Sequence, residues 1–123
     1  MGLDTSHNAW HGAYGAFMRW RTEIASHVGI ALDKMDGFCP NGDGVKWDAL
    51  KPDPLNVLLS HSDCDGEIAP EDCAKIADRL EELMPKLPEG DAGGHIGYWR
   101  EKTKQFIEGC RTAAAANEPL DFH

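Results

Sequence analysis

Four stretches of the chain space their apolar residues three and four apart, the period of a helix with one buried face. In the first, Tyr14, Phe17, Met18, Ile24 and Val28 share a face, Arg19 and Arg21 fall off it, and Gly29 stands where a C-terminal cap belongs. This spacing predicts a helix from about Ala13 to Val28. Pro54 suits the first turn of a short helix carrying Leu55, Leu58 and Leu59. Pro70 opens a third, with Glu71 and Asp72 near its positive end. There Cys73, Ile76, Ala77, Leu80, Leu83 and Met84 repeat as an amphipathic stripe, and Pro85 and Pro88 end it. The fourth runs from about Ile96 to Ala116, on the face Ile96, Trp99, Thr103, Phe106, Ile107, Cys110 and Ala114.

Between Ile30 and Pro54 the period dissolves. "DGFCPNGDGVKWDALKPDP" is rich in Gly, Asp and Pro and reads as loop, in which "PNGDG" could close a short hairpin between Phe38 and Val45. So long a loop is uncommon in a compact domain and points to a functional loop or an insertion. The tail "NEPLDFH" is expected to be extended and to pack through Leu120 and Phe122. No internal repeat is present. A chain of 123 residues fits a single domain, residues 1–123, that buries roughly two-thirds of its unfolded surface. The expectation is a mainly α fold of about four helices. It includes a long irregular loop, room for a small hairpin, and one EF-hand-like helix–loop–helix around residues 55–83.

Composition narrows the classes of function. No apolar run approaches the ~18 residues of a membrane span, and the N-terminus has no basic segment leading into an apolar one. The expected location is cytoplasmic. The net charge of −9, from 21 acidic against 12 basic residues, argues against nucleic-acid binding, which needs clustered Lys and Arg. It suits cation binding, a basic protein partner, or plain solubility. None of the four cysteines lies in a C-x-x-C pair, so a zinc knuckle is a poor reading. Cys73 and Cys110 sit on apolar stripes and read as buried thiols.

The candidate chemistry lies in "LLSHSDCDGEIAPEDCAKIADRL". A calcium loop of the EF-hand type needs oxygen ligands at positions 1, 3 and 5, glycine at 6, a carbonyl at 7 and a carboxylate at 12. With Gly66 at the sixth position, Asp63 falls at the third, Asp65 at the fifth, Glu67 at the seventh and Asp72 at the twelfth. Ile68 follows at an apolar eighth position. The first position is His61, a nitrogen ligand, and Asp72 is shorter than the usual Glu. That exchange lowers the oxygen count and favours zinc or another transition metal over calcium. Three readings stand side by side: a transition-metal site through His61, a calcium site, and a helix corner in which Asp63 and Asp65 satisfy backbone N–H groups while Gly66 turns the chain. "CPNGDGVKWDAL" resembles a degenerate second loop, but Lys46 and Leu50 remove it as a calcium site.

His7 and His11 stand four apart, so on a helix both imidazoles would face one ion. If their segment meets the acidic loop, His7, His11, His61 and Asp63 would share a cleft, with Asp4 and His95 nearby. Imidazole with carboxylate suits Zn, Fe, Mn or Ni. The plain alternative is separate surface histidines. A Cys64–His61 nucleophile pair is disfavoured by the two flanking aspartates.

Together, "MGLDTSHNAWHGAYGAFMRWR", "LLSHSDCDGEI" and "GHIGYWREKTKQFIEGCR" resemble a group of small bacterial and phage proteins that carries no established activity. The resemblance covers both ends and the centre of the chain, but not Ala31 to Lys51. It implies a cytoplasmic setting and transfers no catalytic residue. The expected function is divalent-metal binding, through a candidate ligand set of His61, Asp63, Asp65, Asp72, His7 and His11. The alternatives are an acidic protein that inhibits a basic host protein, for instance one encoded by a phage, and a structural domain with no ligand.

Overall fold

Pro70 and the two acidic residues behind it start a helix where the sequence places one. The computed structural model describes residues 2–38, 44–62, 65–88, 90 and 98–123. In it α1 spans Tyr14–Ser26, α2 Leu55–Leu59, α3 Pro70–Leu83 and α4 Trp99–Ala115. The protein is mainly α, with four helices and short strands among the described residues. The expected start of the last helix, Ile96, lies outside those residues.

Helices α3 and α4 form the main packed pair. Their apolar stripes meet as the periodicity requires: Cys73, Ile76, Ala77, Leu80 and Leu83 are buried against Phe106, Ile107, Cys110 and Ala113. Cys73 and Cys110 are both fully buried thiols. The hydrogen bond between them draws the Cys73 thiol below its usual range and, with burial, pushes Cys110 up. Arg111 braces the outer side, with Asp78 at 3.1 Å and Glu81 at 2.9 Å. These exposed pairs contribute little stability.

Helix α1 lays an aromatic layer over this pair. Trp20 packs on Trp10 and Phe106, with centroids 5.3 Å and 4.9 Å away, and its indole N–H donates to Thr103 Oγ1 at 2.9 Å. The sequence pattern set Arg21 off the apolar face, yet it is only 2% exposed. Its guanidinium donates to the carbonyls of Leu58, Leu59 and His61 at 3.3, 3.2 and 2.7 Å. It thereby caps the end of α2: it serves Leu58 O, which the His61 N–H also reaches at 3.3 Å, Leu59 O, and His61 O just beyond the helix. The rings of Phe17 and Phe38 lie 4.5 Å and 5.3 Å from its charge.

The long loop is integrated into the fold. It carries two 3-10 turns, Leu32–Lys34 and Trp47–Ala49, and buries Leu32 and Met35. The turn of the expected hairpin falls largely on residues 39–43, outside the described set. Val45 pairs with Met35 in a parallel bridge, which is not hairpin pairing.

Four short strands complete the fold. β1 (Gly2–Asp4) pairs antiparallel with β2 (His11–Ala13), and β3 (Glu67–Ile68) with β4 (Leu120–Asp121). The tail joins the two pairs. Thr5 bridges Phe122, Asp4 N–H donates to His123 O at 3.2 Å, and His123 N–H donates to Asp4 O at 2.8 Å. On its other edge Phe122 N–H donates to Gly66 O at 2.9 Å. The tail is thus an inner strand beside β1 in the spatial order β2, β1, β4, β3. Its alternation buries Leu120 and Phe122 and turns Asp121 and His123 outward. Among the described residues no helix is long and apolar enough to cross a membrane.

Candidate functional site

His7 and His11 do not share a helix face. The chain forms a 3-10 turn at Ser6–Asn8 and then strand β2. His7 (φ 59°) and Asn8 (φ 56°) both take left-handed backbone, which stops any helix between the two histidines. The four-residue spacing therefore confers no common face, and each imidazole has its own carboxylate. His7 Nε2 lies 2.9 Å from Glu118 Oε1 while its Nδ1 receives Ser6 Oγ–H at 2.8 Å. His11 Nδ1 contacts Asp4 Oδ1 across the β1–β2 pair.

Helix α4 holds this segment in place. Gln105 Nε2 donates to Asn8 O at 2.9 Å, and Lys102 Nζ donates to His11 O at 3.0 Å while lying 4.2 Å from the Trp10 ring centre. Burial pushes the Lys102 ammonium below its usual range.

In the acidic loop, Gly66 takes a φ of +88° and Ile68 is buried, the two backbone features its sequence asks for. His61 turns inward. Its Nδ1 lies 2.8 Å from Ser62 O and its Nε2 3.2 Å from Glu67 O, and its ring packs against Phe122 at a 36° tilt with centroids 4.2 Å apart. Both ring nitrogens thus face carbonyl oxygens, which only accept hydrogen bonds. A neutral imidazole donates to one of these oxygens, and the lone pair of its other nitrogen then points at the second carbonyl rather than at an open position, so His61 in this conformation acts as a clasp across the turn. Asp65 is exposed, and Asp72 is half-buried in the first turn of α3, where a carboxylate suits the positive helix end. Asp63, Cys64 and His95 lie outside the described residues.

Two of the three candidate segments, at His7–His11 and at His61, meet one strand, the tail, to which the sequence pattern assigns no chemistry, while the His95 segment lies outside the described residues. His7 reaches Glu118 at the start of the tail, His11 and Asp4 flank its end, and His61 packs against Phe122 within it. His123 is the residue that sequence reasoning passes over. Its signal is the alternation of "PLDFH", which sends every second side chain outward once Leu120 and Phe122 face in. In the rotamers present, no three His, Cys, Asp or Glu side chains among the described residues surround a common point.

Gly66 supplies a direct test of the loop. Its left-handed backbone is strained for any side chain, so Gly66→Val is expected to cost about 1–3 kcal/mol. Thermal unfolding checks this, and an unchanged Tm would contradict the described turn.

No protein-family model matches the chain, and neither a curated protein nor a solved structure matches it.

Proposed function

We propose that this protein binds a divalent transition metal. One observation carries the reading: four of the five described histidines border the small sheet organised by the tail, His11 and His123 with exposed rings, His7 with a partly buried one and His61 as the clasp on its inner side. The fifth, His27, pairs with Glu23 on α1 at 2.7 Å. Carboxylates accompany the four at Asp4, Glu67, Glu118 and Asp121. Mixed imidazole and carboxylate donors suit zinc and its first-row neighbours.

Calcium is the weaker candidate. It takes six to eight oxygens, and the EF-hand-like loop offers a nitrogen at its first position. The carbonyl of Glu67, the seventh-position ligand of such a loop, is already engaged by His61. The cytoplasmic setting expected from the sequence belongs to this reading, as does the bacterial or phage context that the resemblance implies.

Titration of untagged, demetallated protein tests the proposal. Zinc is expected to bind at about micromolar concentration, roughly 8 kcal/mol, and calcium no better than about millimolar, ~4 kcal/mol. Saturating zinc at a hundredfold its Kd should add about 2.7 kcal/mol of stability. Absence of zinc binding below millimolar would end the metal reading and leave the acidic surface, as a face for a basic protein partner, to explain the charge.

A further inference from the structure

Three strands bring residues 4, 11 and 123 side by side. Asp4 is opposite His11 in the β1–β2 register. Both backbone groups of Asp4 are bonded to His123 in the tail. Asp4 and His11 therefore form a non-hydrogen-bonded pair, with Cα atoms about 4.5 Å apart, and Asp4 and His123 a hydrogen-bonded pair at about 5.5 Å. Side chains directly opposite one another in a sheet leave on the same face. Leu3, Thr5 and Phe122 point to the core, so Asp4, His11 and His123 point away from it. The result is an outward row in the order His11, Asp4, His123.

We infer that this row is the seat of the metal, and that the metal is zinc or a first-row neighbour. The inference rests on the metal-binding reading above and locates it. Two imidazoles flank one carboxylate, the donor set that borderline cations take in three-ligand sites with an open position. The His123 ring has Asp121 beside it, with Nδ1 3.9 Å from Oδ2, too long for a hydrogen bond but close enough for the carboxylate to add to the negative field. Glu67 pairs with Asp121 in register, so the outward face adds three carboxylates to two histidines. That field attracts a cation. The side chains have room to converge: His11 is 78% exposed, Asp4 48% and His123 61%. The backbone brings the three residues to one face, and convergence on an ion requires these exposed side chains to turn from the rotamers present.

The row also separates metal binding from the acidic loop. His61 stays on the opposite side of the tail strand as a clasp on the Ser62 and Glu67 carbonyls.

Zinc competition against a chromophoric chelator, on the full untagged chain, distinguishes the possibilities. His11→Ala and His123→Ala are each expected to weaken zinc at least tenfold, and His27→Ala to leave it within twofold. Because strand substitutions can disturb folding, the unsubstituted protein carries an independent readout. On adding zinc, the imidazole 15N resonances of His11 and His123 should shift before those of His7 and His61. If zinc binds and His11→Ala and His123→Ala are without effect, the seat is wrong while the metal reading stands. The seat is equally wrong if the His61 resonances move first. If the unsubstituted protein binds no zinc, both fail together.

Discussion

Arg21→Ala is expected to destabilise the protein by about 4 kcal/mol, the largest single effect of any substitution considered. The guanidinium is almost wholly enclosed and serves three carbonyls at the end of α2. Its removal takes a donor from each of these acceptors, although Leu58 O also receives the His61 N–H at 3.3 Å and His61 O is only part-buried, at a cost of about 1–3 kcal/mol for each one left unsatisfied. It also empties the space between Phe17 and Phe38. A typical domain has only about 5–15 kcal/mol in total, so the loss is a large fraction. Arg21→Lys should recover part of it, since one ammonium cannot reproduce a planar fork that serves several acceptors. Urea unfolding measures both variants. A loss below about 1 kcal/mol for Arg21→Ala would mean that the α2 carbonyls find other donors.

The second large effect runs against helix propensity. Gly109 lies inside α4, where alanine is favoured over glycine by about 1 kcal/mol. Gly109→Ala should nevertheless destabilise, by on the order of 3 kcal/mol. A Cβ built there falls on the Ala9 Cβ, 2.6 Å from Ala9 Cα and 2.9 Å from Ala9 N. Two of these atoms are backbone, so no rotamer change relieves the overlap. Relief requires the 3-10 turn and Ala9 to lift from α4, which would also loosen the bond from Gln105 to Asn8. The expected fall in Tm is roughly 10–15 °C for a chain of this size. A stabilised variant would show that the amino-terminal segment does not rest on α4 as described. Under the proposed zinc seat, affinity for the metal would fall as well, because the same segment carries Asp4 and His11.

Much of this fold could be read locally. Pro54 and Pro70 mark helix starts, and the stripes from Leu55 to Leu59 and from Cys73 to Leu83 bury as their spacing requires. Gly66 turns the chain with the positive φ its context asks for, and Leu120 and Phe122 pack as an extended tail should. These features depend on residues within one or two turns of each other, and short-range periodicity, proline geometry and glycine freedom act over that range.

Other features depended on contacts between distant residues. The four-residue spacing of His7 and His11 suggested a helix, but left-handed backbone at His7 and Asn8 and pairing of His11 with Asp4 made a hairpin. Arg21 was set off the apolar face because it is charged, yet it stands four residues after Phe17 and three before Ile24, in the middle of that face; what the sequence does not show is the set of carbonyls, 37 to 40 residues away, that receives the buried cation. Gly109 carries no mark of the chain that crosses it. Nor does any local pattern announce that residue 123 pairs with residue 4, because strand pairing is set by backbone hydrogen bonds between segments whose own sequences encode only which face is apolar. The sequence by itself determined the helices, the turn at Gly66 and the inward face of the tail. Only tertiary structure decided which imidazoles and carboxylates became neighbours, because closing the two ends of the chain onto one sheet is a long-range event with no local signature.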